Sequence, residues 1–115
     1  MSGVTIAPAP TYLARAPVSF STNGTNTIVS GIPGQVVRVY RIFFVTSAAT
    51  TVTIQDGGTN LSGAIPLGQN GSVVLDTSGD PWYQSSPGNP INITSNTTAQ
   101  ISGSLWYTQT GPLGG

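Results

Sequence analysis

Asp56, Asp76 and Asp80 are the only carboxylate side chains of this 115-residue sequence, which contains no histidine, cysteine, lysine or glutamate. Paired carboxylates can hydrolyse a glycosidic bond, and carboxylate oxygens can bind calcium. All three aspartates occur in turn-like contexts, where this side chain usually hydrogen-bonds nearby backbone. A serine nucleophile would lack a base, and zinc would lack its usual ligands. The sequence therefore predicts a protein that is not an enzyme, with no catalytic residues, no cofactor and no metal site.

Charge is scarce in this sequence and it balances. Three arginines and three aspartates give a formal net charge of zero, and charged residues are 5% of the total. No basic patch is available for phosphates, so nucleic acid is not an expected partner. A charge-poor surface resists self-association poorly, which suits a subunit of an assembly. The amino terminus does not resemble a secretory signal, and no apolar run approaches the roughly 20 residues of a membrane span, so we expect cytoplasmic synthesis and no membrane partner.

Residues 1–17 are predicted to form an extended, proline-rich arm, because proline fixes its own φ angle and favours extended conformations before it. The segment also carries apolar and aromatic side chains that a solvated tail would not need. Two interpretations stay open, a disordered terminus or an arm that becomes ordered on a neighbouring subunit. The candidate contact residues of such an arm are Tyr12, Leu13 and Arg15.

Residues 18–110 are predicted to form short strands separated by turns, since no window shows helical spacing with caps. Apolar and polar residues alternate in several segments, as in half-buried antiparallel strands. The sequence therefore predicts an all-β fold, an antiparallel, jelly-roll-like β-sandwich of about eight short strands. Residues 111–115 are predicted to be a flexible tail. The predicted strands are Val18–Ser21, Thr27–Ile32, Gln35–Ser47, Thr50–Gln55, Leu61–Leu67, Ser72–Asp76, Ile91–Ser95 and Ala99–Thr108, and Trp82–Gln84 is predicted to be a brief extended piece.

The long strand Gln35–Ser47 is apolar on both faces. Strict alternation places on one face Val36, Tyr40, Ile42 and Phe44, and on the other Val37, Val39, Phe43 and Val45. One face meets the core, and the other is covered by the arm or a loop, or forms a subunit interface. Trp106, on an otherwise polar strand face, favours the interface because aromatic residues are enriched there. The candidate homo-oligomer interface residues are Tyr40, Phe44 and Trp106.

Two arginines of the long strand, Arg38 and Arg41, are predicted on opposite faces. Each is expected to extend toward water or to pair with an aspartate.

A second local feature is the sequence Asp80-Pro81-Trp82-Tyr83-Gln84. Its adjacent aromatics, Trp82 and Tyr83, are candidates for stacking on a sugar ring. Plugging one end of the core is the favoured alternative, since tryptophan is largely buried on average.

Several segments, taken in order over about residues 28–108, resemble small virion structural proteins of tailed bacteriophages. They are Val36–Phe44, Asp56-Gly57-Gly58, Gly63-Ala64-Ile65-Pro66-Leu67, Asn70-Gly71, Pro81-Trp82-Tyr83 and Gln100-Ile101-Ser102-Gly103-Ser104-Leu105-Trp106-Tyr107. This resemblance implies a β-sandwich on the phage particle, of the capsid decoration (cement) type. It also implies a major capsid protein as partner, location at the capsid surface and assembly as a homotrimer. The alternative is a binding module of the tail or a head fibre that recognises carbohydrate.

Overall fold

The computed structural model describes residues 13–77 and 79–111, which form ten β-strands and no helix. No segment of that part of the chain is a helix long and apolar enough to cross a membrane. Gly-containing turns separate most strands, and Asn70 and Gly57 adopt the positive φ angles that such turns need. The strands are β1 (Ala14–Phe20), β2 (Gly24–Val29), β3 (Val36–Thr46), β4 (Thr50–Asp56), β5 (Thr59–Asn60), β6 (Ile65–Leu67), β7 (Ser72–Leu75), β8 (Tyr83–Gln84), β9 (Ile91–Ser95) and β10 (Ile101–Thr110).

The strands form two antiparallel five-stranded sheets, so the predicted all-β sandwich is confirmed. The first sheet has the order β1–β10–β3–β7, and β8 also pairs with β3. The second sheet has the order β2–β9–β4–β5, and β6 also pairs with β4. Successive strands therefore pass repeatedly from one sheet to the other, and strands from both ends of the sequence meet in the first sheet.

The core is a single apolar layer between the two sheets. The first sheet contributes side chains from β1, β3 and β10, and the second contributes side chains from β2, β4 and β9. Burying one face of each sheet in this way is the usual source of stability in a sandwich, because each strand places every second side chain inward. The fully buried side chains with the largest volumes are Phe44, Ile42, Ile54, Ile91, Ile93, Ile101 and Leu105.

The first strand begins earlier than predicted. Ala14 to Pro17, assigned to the arm by the sequence, pair with β10, with Ala14 opposite Tyr107 and Pro17 opposite Ser104. Pro17 is compatible with a strand here because β1 lies at the sheet edge, where a missing backbone donor need not break a ladder. The arm segment therefore contributes directly to the sandwich from Ala14 onward, and residues 1–12 lie outside the described part of the chain.

A β-bulge interrupts the alternation of β3. Trp106 of β10 is opposite Arg41, whereas its neighbour Tyr107 is opposite Val39, so Tyr40 is an extra residue without a partner. The side chains of Val39 and Ile42 therefore both point into the core although they are three positions apart. The prediction of one strict alternation along this strand is wrong at Tyr40.

Candidate interaction surface

The outer face of the first sheet exposes a cluster of large apolar side chains. Phe43 and Val45 of β3 are 40% and 42% exposed, and Val74 of β7 is 71% exposed. Trp106 of β10 is partly exposed, and its ring lies 6.0 Å from that of Phe43, centroid to centroid, with the two planes tilted by 31°. We call Phe43, Val45, Val74 and Trp106 the outer apolar cluster. An exposed apolar cluster of this kind is typical of an interaction site.

The register of the sheet explains why Phe43, Val74 and Trp106 lie close together. Phe43 is opposite Ser104 of β10 on one side and Val74 of β7 on the other. Trp106 lies two residues beyond Ser104, on the same face of its strand, so it is a diagonal neighbour of Phe43. β3 is bonded on both sides, so its outward side chains are held at the centre of the sheet rather than at an edge.

Three arginines surround this cluster. Arg15 of β1 and Arg41 of β3 are the register partners of Trp106 on its two sides. Arg38 also points outward, because Val37 and Val39 on either side of it are fully buried. The prediction that Arg38 and Arg41 occupy opposite faces is wrong, since the bulge at Tyr40 lies between them.

The arginine partners are known for two of the three. Arg41 Nε lies 2.7 Å from Asp76 Oδ1, so the expected pairing with an aspartate is confirmed for this residue. Both side chains are more than half exposed, so the pair contributes little to stability. Arg38 Nη1 donates instead to Thr110 Oγ1 at 3.0 Å. Among the described residues, Arg41–Asp76 is the only ion pair.

A depression of about 170 Å³ lies within the outer face. Its walls include Phe43, Val74 and Trp106 from the outer apolar cluster and the Arg41–Asp76 pair. An apolar cavity of about 150 Å³ accommodates a benzene ring in other proteins. The depression is therefore of the size that takes one apolar side chain of a partner.

The predicted interface residues are placed differently from one another. Trp106 lies on the outer face, and Tyr40 is partly exposed at the bulge. Phe44 has no exposed surface and lies in the core, so it is not available to a partner. Its neighbour Phe43, which sequence reasoning missed, is the phenylalanine exposed on the outer face. Nothing in the sequence distinguishes two adjacent phenylalanines once a bulge reverses the faces.

The predicted arm contacts are only partly described. Leu13 is half-buried, and Arg15 is exposed on β1, beside the outer apolar cluster. Tyr12 lies outside the described residues. Of the three arm residues, Arg15 is the one that the fold brings to the candidate surface.

The adjacent aromatics Trp82 and Tyr83 have different environments, one exposed to water and the other packed against the core. Tyr83 pairs with Val39 and packs against the core, and burial raises the pKa of its phenol above the ordinary value of 10.0. Trp82 is 46% exposed, although its backbone N–H donates to the Val39 carbonyl at 2.8 Å. The interpretation as a core plug thus describes the position of Tyr83 and not that of Trp82.

Asp56 is buried and connects the second sheet to a loop. Its Oδ2 accepts hydrogen bonds from the backbone N–H of Ser86 at 3.0 Å and from the Ser86 hydroxyl at 2.7 Å. Ser85, the preceding residue, accepts a hydrogen bond from the Val37 N–H at 2.9 Å through its hydroxyl oxygen. The carboxylate therefore helps to join the two sheets through residues 85–86. The sequence predicted a hydrogen bond to nearby backbone, and this prediction is wrong for Asp56, whose partner Ser86 is 30 residues away.

Replacing Asp56 with alanine is expected to lower the free energy of unfolding by about 2 kcal/mol, because both Ser86 donors lose an acceptor. Asp56→Asn is the matched control, since its amide oxygen can still accept from Ser86. Asp56 Oδ1 has no hydrogen-bond partner among the described residues, so the amide nitrogen of asparagine can take its place without breaking a hydrogen bond. Urea unfolding should rank Asn above Ala in stability. An alanine variant as stable as the unmodified protein would contradict this role.

A second depression, of about 420 Å³, lies at one end of the second sheet. Thr50, Thr97 and Asn96 contribute to its lining. Their polar atoms already bond to one another and to backbone: Thr97 Oγ1 donates to Thr50 Oγ1 at 2.8 Å, and Asn96 Oδ1 accepts from the Thr51 N–H at 2.9 Å. These groups stabilise the strand ends, so this depression is a weaker candidate than the outer face.

Comparison with protein-family models, curated proteins and solved structures gave no match to this chain. The resemblance to phage virion proteins therefore stays a prediction, and the fold and the outer face are the observations available for a functional argument.

Proposed function

We propose that this protein is a structural subunit of a bacteriophage particle, of the decoration type, that binds the major capsid protein lattice through the outer face of its first sheet. The observation that carries the proposal is the outer apolar cluster, which places Phe43, Val74 and Trp106 in contact with water. Covering such a cluster with a partner removes apolar area from water and is favourable. On the particle, the protein would lie at the capsid surface.

The strand order supports a jelly-roll interpretation of the sandwich. In the first sheet β1, β10, β3 and β7 are neighbours, and in the second β2, β9, β4 and β6 take the corresponding places, each being the strand directly before or after its counterpart in the sequence. Two interleaved Greek keys of this kind occur in viral capsid and lectin domains. One fold hosts many functions, so the strand order is secondary support and the outer apolar cluster is the main support.

A lattice partner suits a surface of this size. The outer apolar cluster has four members, fewer than the side of a standard interface between two soluble proteins. Repetition over a symmetric lattice compensates for weak individual contacts, since linked binding events reinforce each other. The homotrimer stays a prediction, and it would need a surface other than the buried Phe44 and the capsid-binding Trp106. Clamping neighbouring capsid subunits would stabilise the shell without any chemistry.

The carbohydrate-binding alternative has less support. It requires adjacent aromatics that stack on a sugar, but Tyr83 packs against the core and leaves Trp82 as the single exposed ring of the pair. A single exposed ring does not form the two-ring platform that this alternative requires.

The test is binding of the purified protein to capsid shells of the virus that encodes it, prepared without this protein. We expect cosedimentation, and Trp106→Ala should weaken it by about 30-fold, the loss typical of an aromatic residue at the centre of an interface. Trp82→Ala is the matched control, since it removes an exposed tryptophan that does not line the depression beside Trp106 and should bind normally. Failure of the unmodified protein to cosediment would overturn the proposal, and equal losses in both variants would overturn the assignment of the face.

A further inference from the structure

We infer that the outer face docks an acidic protein surface with an apolar centre, and not a second copy of this chain. The inference rests on the proposed use of this face for docking and adds the chemistry of the partner.

All three cationic side chains of the protein lie on the outer face. Arg15 and Arg41 lie on either side of Trp106, and Arg38 is on the same face beyond the bulge. One carboxylate, Asp76, is paired with this group, through Arg41. Two guanidinium groups are thus left without a carboxylate partner among the described residues, in a protein whose net charge is zero. The positive charge is concentrated where the apolar cluster is exposed.

A second copy of the chain has little complementary charge to offer. The sequence has three aspartates and no glutamate. Asp56 is buried and bonded to Ser86, and Asp76 is already paired with Arg41, which leaves Asp80 as the one exposed carboxylate side chain outside a pair in the described residues. A two-fold arrangement of outer faces would place arginines near arginines, which is unfavourable. A second copy therefore offers one exposed, unpaired carboxylate side chain for two guanidinium groups, so a partner richer in acidic residues complements this face better.

The apolar cluster favours a protein over a nucleic acid. A phosphate backbone would neutralise the arginines but leave Phe43, Val45 and Val74 without apolar partners. The centre of a protein interface is enriched in aromatic residues and arginine, as this face is. An apolar side chain of the partner would enter the depression of about 170 Å³ beside Trp106 and Val74, and acidic residues around it would reach Arg15 and Arg38.

The experiment uses two synthetic peptides titrated into the isotope-labelled protein and followed by NMR. One carries glutamates on both sides of a Leu-Phe-Leu centre, and its counterpart has glutamine at each of those positions. We expect the glutamate peptide to shift the signals of Phe43, Val74 and the Trp106 indole, and to bind about fivefold more tightly than the glutamine peptide at low salt. Added salt should reduce this difference, since exposed charges are screened.

Arg15→Gln is the variant that isolates the charge term, because Arg15 is exposed on an edge strand and has no ion pair among the described residues. It should weaken the glutamate peptide about threefold and leave the glutamine peptide unchanged. Asp80→Asn is the control and should not weaken either peptide. Equal affinity of the two peptides, absence of binding, or signal shifts located elsewhere would overturn the inference.

Two further outcomes would assign the outer face to a different binding partner. A short single-stranded DNA that shifts the same signals more tightly than the glutamate peptide would assign the face to nucleic acid. Light scattering after gel filtration that shows an oligomer lost in Trp106→Ala would assign it to a second copy. Neither result depends on a capsid, so peptide binding without capsid binding would remove the proposed function and keep the inference.

Discussion

Phe44→Ala is expected to lower the free energy of unfolding by about 3 to 5 kcal/mol, because the ring is fully buried between the sheets and its removal leaves a cavity. Phe43→Ala is the matched control, since it removes the same side chain from the next residue of the same strand. Phe43 is 40% exposed on the outer face, so its loss should cost about 1 kcal/mol or less. Denaturant unfolding of the two variants measures the difference directly.

The pair also separates stability from binding. Phe43→Ala should weaken the partner while the domain stays folded, whereas Phe44→Ala should act on folding first. Similar losses of stability in the two variants would mean that the faces of β3 are not assigned as the bulge requires. A more stable Phe44→Ala than Phe43→Ala would mean that Phe43, and not Phe44, faces the core.

Gly103→Ala is expected to lower the free energy of unfolding by about 3 kcal/mol or more, the range of a severe steric conflict in a core. A Cβ at this position would lie 2.6 Å from Phe44 Cα and 2.8 Å from Phe43 C. These are backbone atoms of β3, and both β3 and β10 are bonded on two sides, so neither strand can move away. Thermal unfolding should show a large drop in Tm.

Gly63→Ala provides the control for this substitution. Gly63 is exposed, and a Cβ there would meet nothing within 4 Å, so we expect a change within about 0.5 kcal/mol. If Gly103→Ala had the same Tm as Gly63→Ala, strands β3 and β10 would tolerate a wider spacing. In that case the glycine would not be the reason for the close approach of β10 to β3.

Sequence reasoning predicted the elements whose pattern is local. Strand β9 has the predicted bounds Ile91–Ser95, and β4 ends one residue beyond the predicted Thr50–Gln55. Both show regular alternation of apolar and polar residues, which specifies which face is buried. The start of β1 was missed because Pro17 argues against a strand unless the strand is known to be an edge, and the edge is a property of the whole sheet.

The candidate surface was predictable only where the pattern of a single strand was sufficient. Trp106 was found because it is a lone aromatic on a polar strand face, and the structure places it on the outer face. Phe43 and the grouping of Arg38 with Arg41 were missed because a single extra residue, Tyr40, reverses the alternation between them. A bulge arises from pairing with a distant strand, here β10, so the sequence of β3 alone does not specify it.

The position of β10 between β1 and β3 has a consequence for synthesis on the ribosome. Its pairs join Ala14 to Tyr107 and Val36 to Thr110, so the central ladder of the first sheet links sequence positions that are translated far apart in time. Non-local pairing of this kind makes folding slow, since long loops must close before the contacts form. The two edges that β10 will occupy stay open until it leaves the exit tunnel. A chain that stops before β10 can still pair β3 with β7 and β8, but β1 then has no partner strand, so the first sheet is completed only when β10 has been synthesised.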